Sequence, residues 1–430
     1  MARLLLQQPT VVCPDGSVKE ADIAIEGNRI AYIGNVPAEW QAEQVIPAKG
    51  KLAVPGFINA HTHASMTLLR SYADDMNLMD WLQKKMWPIE AKMREDDIYW
   101  GAMLAILEMI QSGTTSFADM YGPWMNRVAE AVIETGMRAA LCQGLIGVAP
   151  DADKKLASSV SLFKDYNGAA DGRIKVMFGP HALYTCPPDY LRKVNKAAQS
   201  LGAEIHIHMS ETRGEVENCV RQYGRRPFAH VETTGLFENG TLAAHCVYLD
   251  EEDIFLIKKY RIRIAHNPGS NMKLASGTAP APRLLREGIC VALGTDGTSS
   301  NNNLDMLEEV RLAALLHKVT THDPLAIPAW EALKMGTVYG ARALGYEDVG
   351  ELAVGQKADI VLWNMHDATW TPHHAPISLL VYAANSSSVD TVLVDGRILM
   401  QNRQLLTLDE EKVLYEAEKR GMELAQRARP

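Results

Sequence analysis

Eight short apolar runs, each ending on a polar residue, occupy the middle of this chain, and helical stretches separate them. Strands that alternate with helices predict βαβ units and a parallel sheet. The runs span residues 54–63, 114–119, 138–143, 174–181, 203–208, 241–245, 262–266 and 289–296. Eight such units predict an α/β fold with a closed (β/α)8 barrel of the TIM type. An open doubly wound sheet is the alternative, but neither G-x-G-x-x-G nor a phosphate-binding loop motif follows any run.

Short alternating segments separated by Gly and Asn turns flank this middle region on both sides, which indicates small antiparallel strands. We expect the two flanking pieces to pair into one small β-sandwich domain. A highly charged tail of good helix formers predicts a surface helix, and Thr407 and Glu410 have the spacing of a capping box. The predicted limits are 1–54 for the N-terminal part of the sandwich, 55–352 for the barrel, 353–406 for the C-terminal part and 407–430 for the helix.

Composition excludes several classes of partner. Forty-three basic residues against 52 acidic ones give a net charge of −9, so nucleic acid and anionic lipid are not expected to bind. No apolar stretch reaches the length of a membrane span, and the three leucines near the start are too few for a secretory signal. Six scattered cysteines without a C-x-x-C motif indicate reduced thiols. We therefore expect a cytoplasmic enzyme with a small-molecule substrate, and a homo-oligomer is possible.

Two H-x-H pairs end the first and the fifth apolar runs. His61 and His63 are two residues apart, so on a strand both imidazoles point to the same side. Such a pair is by itself also compatible with two ordinary buried or exposed histidines. In the second pair we expect His208 to be a metal ligand, with Glu211 just beyond the strand as a proton carrier. His206 shares this face but lies one layer deeper, where it is a core histidine, a residue that contacts a ligand from behind, or a ligand itself.

His245 and Asp296 also end apolar runs, which places both at the mouth of the predicted barrel. A buried aspartate is costly unless it is paired or binds a metal, although an aspartate in a glycine-bounded turn is an ordinary alternative. Three imidazoles and one carboxylate leave an open position on zinc or iron, and such an ion supplies hydroxide at neutral pH. With Glu211 moving a proton, the set predicts hydrolysis at an electrophilic carbon.

Five stretches, spread over nearly the whole chain, carry a family resemblance. They are PGFINAHTH (55–63), MTLLR (66–70), HMSE (208–211), AHNPGS (265–270) and TDGTSSNN (295–302). The sequence resembles the amidohydrolase superfamily, in the branch of 5′-methylthioadenosine/S-adenosylhomocysteine deaminases. The resemblance implies one divalent ion per chain, zinc as first choice with Fe²⁺ or Mn²⁺ as alternatives. The implied ligands are His61, His63, His208 and Asp296.

The resemblance also implies a substrate site after the first strand, in MDWL (79–82) and WPIE (87–90). There an aromatic residue covers the nucleoside and a glutamate accepts the ribose hydroxyls, which we carry over to Trp81 and Glu90. His181, at the end of the fourth run, is a further substrate contact by the same resemblance. The ordinary alternatives are lid packing for Trp81 and a helix-start carboxylate for Glu90.

The sequence departs from the nucleoside-deaminating relatives at the end of the third run. They have an arginine where this chain has Gln143. Glutamine lacks the charged bidentate fork that arginine offers a carboxylate, so the preference for S-adenosylhomocysteine is open. Lys154 and Lys155 in the following loop either supply a cation or are simply solvated.

Together with these residues, the family resemblance implies hydrolytic deamination of an adenosine-type nucleoside by a metal-activated hydroxide. We expect 5′-methylthioadenosine as first substrate, with S-adenosylhomocysteine or adenosine as others, and the inosine analogue and ammonia as products. Glu211 would protonate the ring nitrogen, while His245 and Asp296 would stabilise the tetrahedral centre. A hydrolase of guanine, pterin or s-triazine rings is the alternative, and a non-catalytic barrel scaffold is the third possibility.

Overall fold

The computed structural model describes residues 2–429, within which there are twenty strands and seventeen α-helical segments. The strands are β1 Arg3–Gln7, β2 Thr10–Val12, β3 Val18–Glu20, β4 Ile23–Glu26, β5 Arg29–Ile33, β6 Gln44–Pro47, β7 Lys51–Pro55, β8 Phe57–Thr62, β9 Thr114–Tyr121, β10 Arg138–Leu145, β11 Ile174–Val176, β12 Gly179–Pro180, β13 Ile205–Met209, β14 Thr241–His245, β15 Arg263–His266, β16 Val291–Leu293, β17 Ile360–Asn364, β18 Val389–Val394, β19 Arg397–Gln401 and β20 Gln404–Leu405. The α-helical segments are α1 Leu78–Trp81, α2 Trp87–Glu90, α3 Glu95–Gln111, α4 Met125–Thr135, α5 Ala152–Tyr166, α6 Ala169–Gly172, α7 Pro188–Leu201, α8 Arg213–Tyr223, α9 Pro227–Glu232, α10 Glu251–Lys259, α11 Pro268–Lys273, α12 Ala281–Arg286, α13 Met306–Thr321, α14 Ala329–Met335, α15 Val338–Ala343, α16 Pro376–Tyr382 and α17 Glu410–Arg427. Met1 and Pro430, at the ends of the first and last predicted segments, lie outside the described residues.

The parallel strands β8 to β16 close into the predicted (β/α)8 barrel, in which the short strands β11 and β12 both pair with β10 and together occupy the fourth position. Two parallel sheets, β11-β10-β9-β8 and β13-β14-β15-β16, form its two halves. On one side the amide of Phe178 donates to the carbonyl oxygen of Glu204 at 2.8 Å. On the other side the amide of Asp296 donates to the carbonyl oxygen of His61 at 2.9 Å, which joins the last strand to the first. The predicted barrel is confirmed, and each of the eight apolar runs overlaps a barrel strand.

The barrel strands are buried along their length because helices cover them outside and side chains fill them inside. All eight residues of β9 and all five of β13 are buried. The inner core consists largely of small residues, which leaves room above it for larger polar side chains. It includes Ala60, Ala118, Ala140, Ala265 and Ala292.

The N- and C-terminal pieces share one sheet, as expected. Strand β17 pairs antiparallel with β7, which in turn pairs parallel with β2. A second sheet, β5-β4-β1-β6, packs on it around a separate apolar core. A buried ion pair attaches this unit to the barrel, since Arg138 Nε of β10 lies 2.8 Å from Asp359 Oδ2. The residue limits given for the domains stay predictions.

The terminal helix α17 begins at Glu410, as the charged tail predicts, but its cap differs. The capping box with Thr407 is wrong, because the carboxylate of Asp409 directly precedes the first turn and accepts the amide of Lys412 at 3.1 Å. Within residues 2–429 no helix is both long enough and apolar enough to cross a membrane.

Candidate active site

A cavity of about 720 Å³ opens at the mouth of the barrel, where the carboxyl ends of the parallel strands meet. Nine of the ten predicted site residues line this cavity, and fully buried His61 lies behind its wall. The structure therefore brings together side chains that are far apart in the sequence.

Two of the imidazoles have their orientation fixed by backbone carbonyl groups. His208 Nδ1 lies 2.7 Å from the carbonyl oxygen of His181, and His63 Nδ1 is hydrogen-bonded to the carbonyl oxygen of Met120. A carbonyl oxygen only accepts, so both Nδ1 atoms carry the hydrogen. Both Nε2 atoms are then left with a lone pair, which is the form that binds a metal ion.

Asp296 turns one oxygen towards these imidazoles and the other towards two serines. Its Oδ1 lies 3.3 Å from His61 Nε2 and 3.1 Å from His63 Nε2. Its Oδ2 accepts the hydroxyl of Ser270 at 2.7 Å and that of Ser300 at 3.1 Å. Burial alone would raise the pKa of Asp296, but the two neighbouring imidazoles hold it well below its usual value. The carboxylate is thus charged and aimed at the imidazoles.

The donor set fits a divalent ion of the zinc type. The ligand atoms of His61, His63 and Asp296 lie within 4.8 Å of one another. His61 Nε2 is buried and makes no well-aligned hydrogen bond with any residue between 2 and 429. An unsatisfied buried nitrogen is costly unless something binds it, and imidazole nitrogens with a carboxylate oxygen are preferred zinc ligands. The same distance limit also groups His61 with His208 and His245.

The side chains of His245 and Glu211 lie close together in the cavity wall. His245 Nε2 lies 3.8 Å from Glu211 Oε2 and 4.0 Å from Asp296 Oδ2. On its far side, His245 Nδ1 lies 2.9 Å from the amide oxygen of Asn271. Burial raises the pKa of Glu211, which favours the protonated form that a proton donor needs.

A second carboxylate, Glu215, fixes the backbone that carries Glu211. Its Oε1 accepts the amide of Ser210 at 3.0 Å, and its Oε2 accepts the amide of Glu211 at 2.8 Å. Ser210 has a φ of 50°, a left-handed conformation that serine rarely adopts without support. Glu215 therefore stabilises the turn that follows β13. Our sequence reasoning did not identify it.

The proposed substrate residues form the outer part of the cavity. Trp81 of α1 is 5% exposed and packs into the wall. Glu90 is the last residue of the one-turn helix α2, and it accepts the hydroxyl of Tyr121 at 2.9 Å. His181 Nδ1 lies 3.0 Å from Thr185 Oγ1, and burial lowers the pKa of His181 to about 3.

The sequence of the chain matches that of a known protein family. The sequence model described as the amidohydrolase family matches residues 52–399, which is most of the chain. The chain belongs to the amidohydrolase family. This amidohydrolase is 54% identical to the 5-methylthioadenosine/S-adenosylhomocysteine deaminase of Pelotomaculum thermopropionicum, over 99% of this chain and all of that protein.

Solved structures confirm the fold of this amidohydrolase. A zinc-bound adenosine deaminase from Xanthomonas campestris superposes with a TM-score of 0.94 at 33% identity, and the match covers 99% of both chains. A zinc complex of atrazine chlorohydrolase from Arthrobacter aurescens has a TM-score of 0.90 at 24% identity, covering 97% of this chain and 99% of that one. At that identity the second likeness shows a common fold alone.

Two features of the cavity wall differ from the sequence analysis. Strand β9 continues to Tyr121, two residues past the predicted run, and this extension brings the phenol against Glu90. Lys154 and Lys155 line the cavity from helix α5, whereas the sequence predicted a loop there. The helix forms because a run of good helix formers follows Asp151.

Proposed function

We propose that this amidohydrolase is a zinc-dependent deaminase of adenosine-type nucleosides, with 5′-methylthioadenosine as its first substrate. The reaction consumes water and yields the inosine analogue and ammonia. One observation carries the proposal: the metal-binding nitrogens and Asp296 Oδ1 converge beside Glu211, in a cavity that also holds Trp81 and Glu90. The deaminase names of the curated relatives support the same reaction.

His61, His63, His208 and Asp296 are the proposed metal ligands. When bound, the metal lowers the pKa of water and so supplies hydroxide at neutral pH. The residues around it set the direction of attack, because Glu211, His245 and Asp296 Oδ2 all face one space.

Glu211 has the position of the proton carrier. From the cavity wall it gives its proton to the ring nitrogen next to the amine-bearing carbon, and this neutralises the negative charge that develops there. The tetrahedral centre forms at the amine-bearing carbon, and its new hydroxyl group lies beside His245 and Asp296, which stabilise it by hydrogen bonds. The ring nitrogen keeps this proton in the product. The amine takes the proton of the hydroxyl group on the same carbon and leaves as ammonia, and Glu211 regains its proton from the next water molecule.

The outer cavity sets the substrate class. Tyr121 binds Oε1 of Glu90, so Oε2 is left for the ribose hydroxyls, and the indole of Trp81 covers the nucleoside. Around the 5′ group the wall offers neutral Gln143 and exposed Lys154, which has no ion-pair partner in the described part of the chain. Gln143 lacks the charged fork that arginine offers a carboxylate, so the expected preference for the uncharged methylthio group rests on Gln143, against the attraction of the Lys154 ammonium for a carboxylate.

Purified, metal-loaded protein tests the proposal. Conversion of adenine to hypoxanthine is followed in the ultraviolet with 5′-methylthioadenosine, S-adenosylhomocysteine and adenosine, beside guanine, a pterin and an s-triazine. We expect turnover of the nucleosides with 5′-methylthioadenosine first. Turnover confined to guanine, pterin or triazine would refute the nucleoside assignment.

The variant Glu211→Gln separates the chemistry from metal binding. It should keep its metal and lose turnover, since the amide cannot donate a proton as a carboxylic acid does. Glu217→Gln is the matched control, because Glu217 lies exposed on α8 and pairs only with Arg213 within residues 2–429. Metal loss in Glu211→Gln equal to the loss of turnover would refute the proton-carrier role.

A further inference from the structure

His206, the first imidazole of the second H-x-H pair, takes no part in the function proposed above. It is fully buried on β13 beneath the cavity. Its Nε2 lies 2.9 Å from His61 Nδ1, and the two rings meet edge to face with centroids 4.9 Å apart. On the other side, His206 Nδ1 lies 3.8 Å from the Sγ atom of Cys142. A chain of three side chains therefore leads from the proposed metal site into the barrel core.

The hydrogen positions along this chain follow from the proposed metal site. His61 presents Nε2 towards Asp296 and His63, so a metal ligand at this position needs its lone pair on Nε2 and its hydrogen on Nδ1. That hydrogen then points at His206 Nε2, which must accept it. His206 in turn carries its own hydrogen on Nδ1, where the thiol sulfur of Cys142 is a weak acceptor.

The other two imidazole ligands have backbone acceptors in the same role, namely the carbonyl oxygens of Met120 and His181. The position of His61 explains why the acceptor of its Nδ1 hydrogen is a side chain and not a backbone carbonyl group. It points into the closed barrel, where strand carbonyl groups are directed sideways at neighbouring strands, as that of His61 itself is at the amide of Asp296. At this depth the acceptor that His61 Nδ1 meets is a side chain, that of His206.

We propose that His206 is a positioning residue that fixes the tautomer and orientation of His61 and thereby holds the metal in this enzyme. The inference rests on the proposed function for the identity of the metal ligands. It requires only an acceptor at the position of His206 Nε2, and it assigns His206 no contact with substrate.

Zinc release from the full-length holoprotein to an excess of a chromophoric chelator tests the role without an activity measurement. His206→Phe keeps a ring of similar volume but removes the acceptor, and His206→Gln offers a carbonyl oxygen instead. We expect zinc release from the phenylalanine variant to be about 10- to 100-fold faster, the usual effect of losing the partner behind a metal-binding histidine. The glutamine variant should release zinc at a rate much closer to that of the natural chain.

The control is His230→Phe, which changes a buried histidine of α9 that stacks on Tyr223 away from the cavity. It should release zinc at the unchanged rate. Unchanged release from folded His206→Phe would overturn the proposal. If that variant does not fold, the zinc release rates of His206→Gln and His206→Asn are compared instead. The asparagine variant should release zinc faster, since its shorter side chain cannot reach His61. Equal release rates for these two would overturn it as well.

Failure of the proposed function gives a different result. Protein that binds zinc but turns over no nucleoside would refute the substrate assignment, and the comparison of release rates would stand. A chain that binds no zinc would refute both.

Discussion

Glu215 offers a sharp test of how the catalytic carboxylate is held. Its two oxygens accept the amides of Ser210 and Glu211 at 3.0 and 2.8 Å. In Glu215→Gln one oxygen becomes an NH2 group, so one of the two amides faces a donor and loses its partner. Burial raises the pKa of Glu215 to about 7, so the carboxylate is charged above that pH, and there the loss of a hydrogen bond to it costs about 1.5–3 kcal/mol. If this loss falls on the transition state, kcat decreases about 10- to 150-fold, since each 1.4 kcal/mol is a factor of ten.

The assay compares kcat, KM and zinc content for the natural chain, Glu215→Gln and the exposed control Glu217→Gln. We expect a lower kcat, a nearly unchanged KM and full zinc content in Glu215→Gln, because Glu215 touches the backbone of Glu211 and not the metal ligands. Glu215→Asp should be affected similarly, since the shorter carboxylate cannot reach both amides.

Urea unfolding of the same variants separates positioning from a purely structural role. A Glu215→Gln chain that is destabilised by about 1.5–3 kcal/mol and yet keeps its full kcat would refute the reasoning. The turn after β13 would then be stabilised by Glu215 without any effect on the orientation of the Glu211 side chain.

Three further predictions concern other contacts. Tyr121→Phe removes the donor to Glu90, so KM for nucleosides should rise about tenfold while a 2′,3′-dideoxy analogue is unaffected; an equal rise for both would contradict the link to ribose. Arg138→Met leaves Asp359 buried without its partner and should lower the free energy of unfolding by about 3–5 kcal/mol, measured with urea. Burial lowers the pKa of His317 from 6.5 to about 4, so the unfolded chain binds the extra proton and stability decreases as the pH falls from 6.5 to 4. His317→Gln should reduce this slope by about 1.4 kcal/mol per pH unit in urea titrations at several pH values, and an unchanged slope would show that His317 is not the group involved.

The barrel was predictable because its strands are buried on both faces and so appear in the sequence as separate apolar runs. The candidate ligands could be found for a related reason, since parallel strands all present their last residues at one end. The residues His63, His208 and Asp296 thus stand out before any coordinates are known.

Contacts made through the backbone could not be predicted in this way. Glu215 accepts hydrogen bonds from two backbone amides, and the side chains of Ser210 and Glu211 do not indicate that contact. Tyr121 was missed because Asp119 ended the apolar pattern, although the strand hydrogen bonds continue beyond it. For the terminal helix, two residues near its start can both serve as caps, and local geometry selects Asp409 over Thr407.

The hydrogen bond between the first and the last barrel strand joins two parts of the chain that are synthesised at different times. His61 is translated early and Asp296 late, and the proposed metal needs both. During synthesis the chain therefore has no complete metal site, and no activity, until its eighth strand has been made and has closed the ring. Because the proposed ion would join ligands from the first and the last strand, metal binding would also stabilise the closed ring against opening. The zinc content of a preparation would then report the number of chains whose barrel is closed.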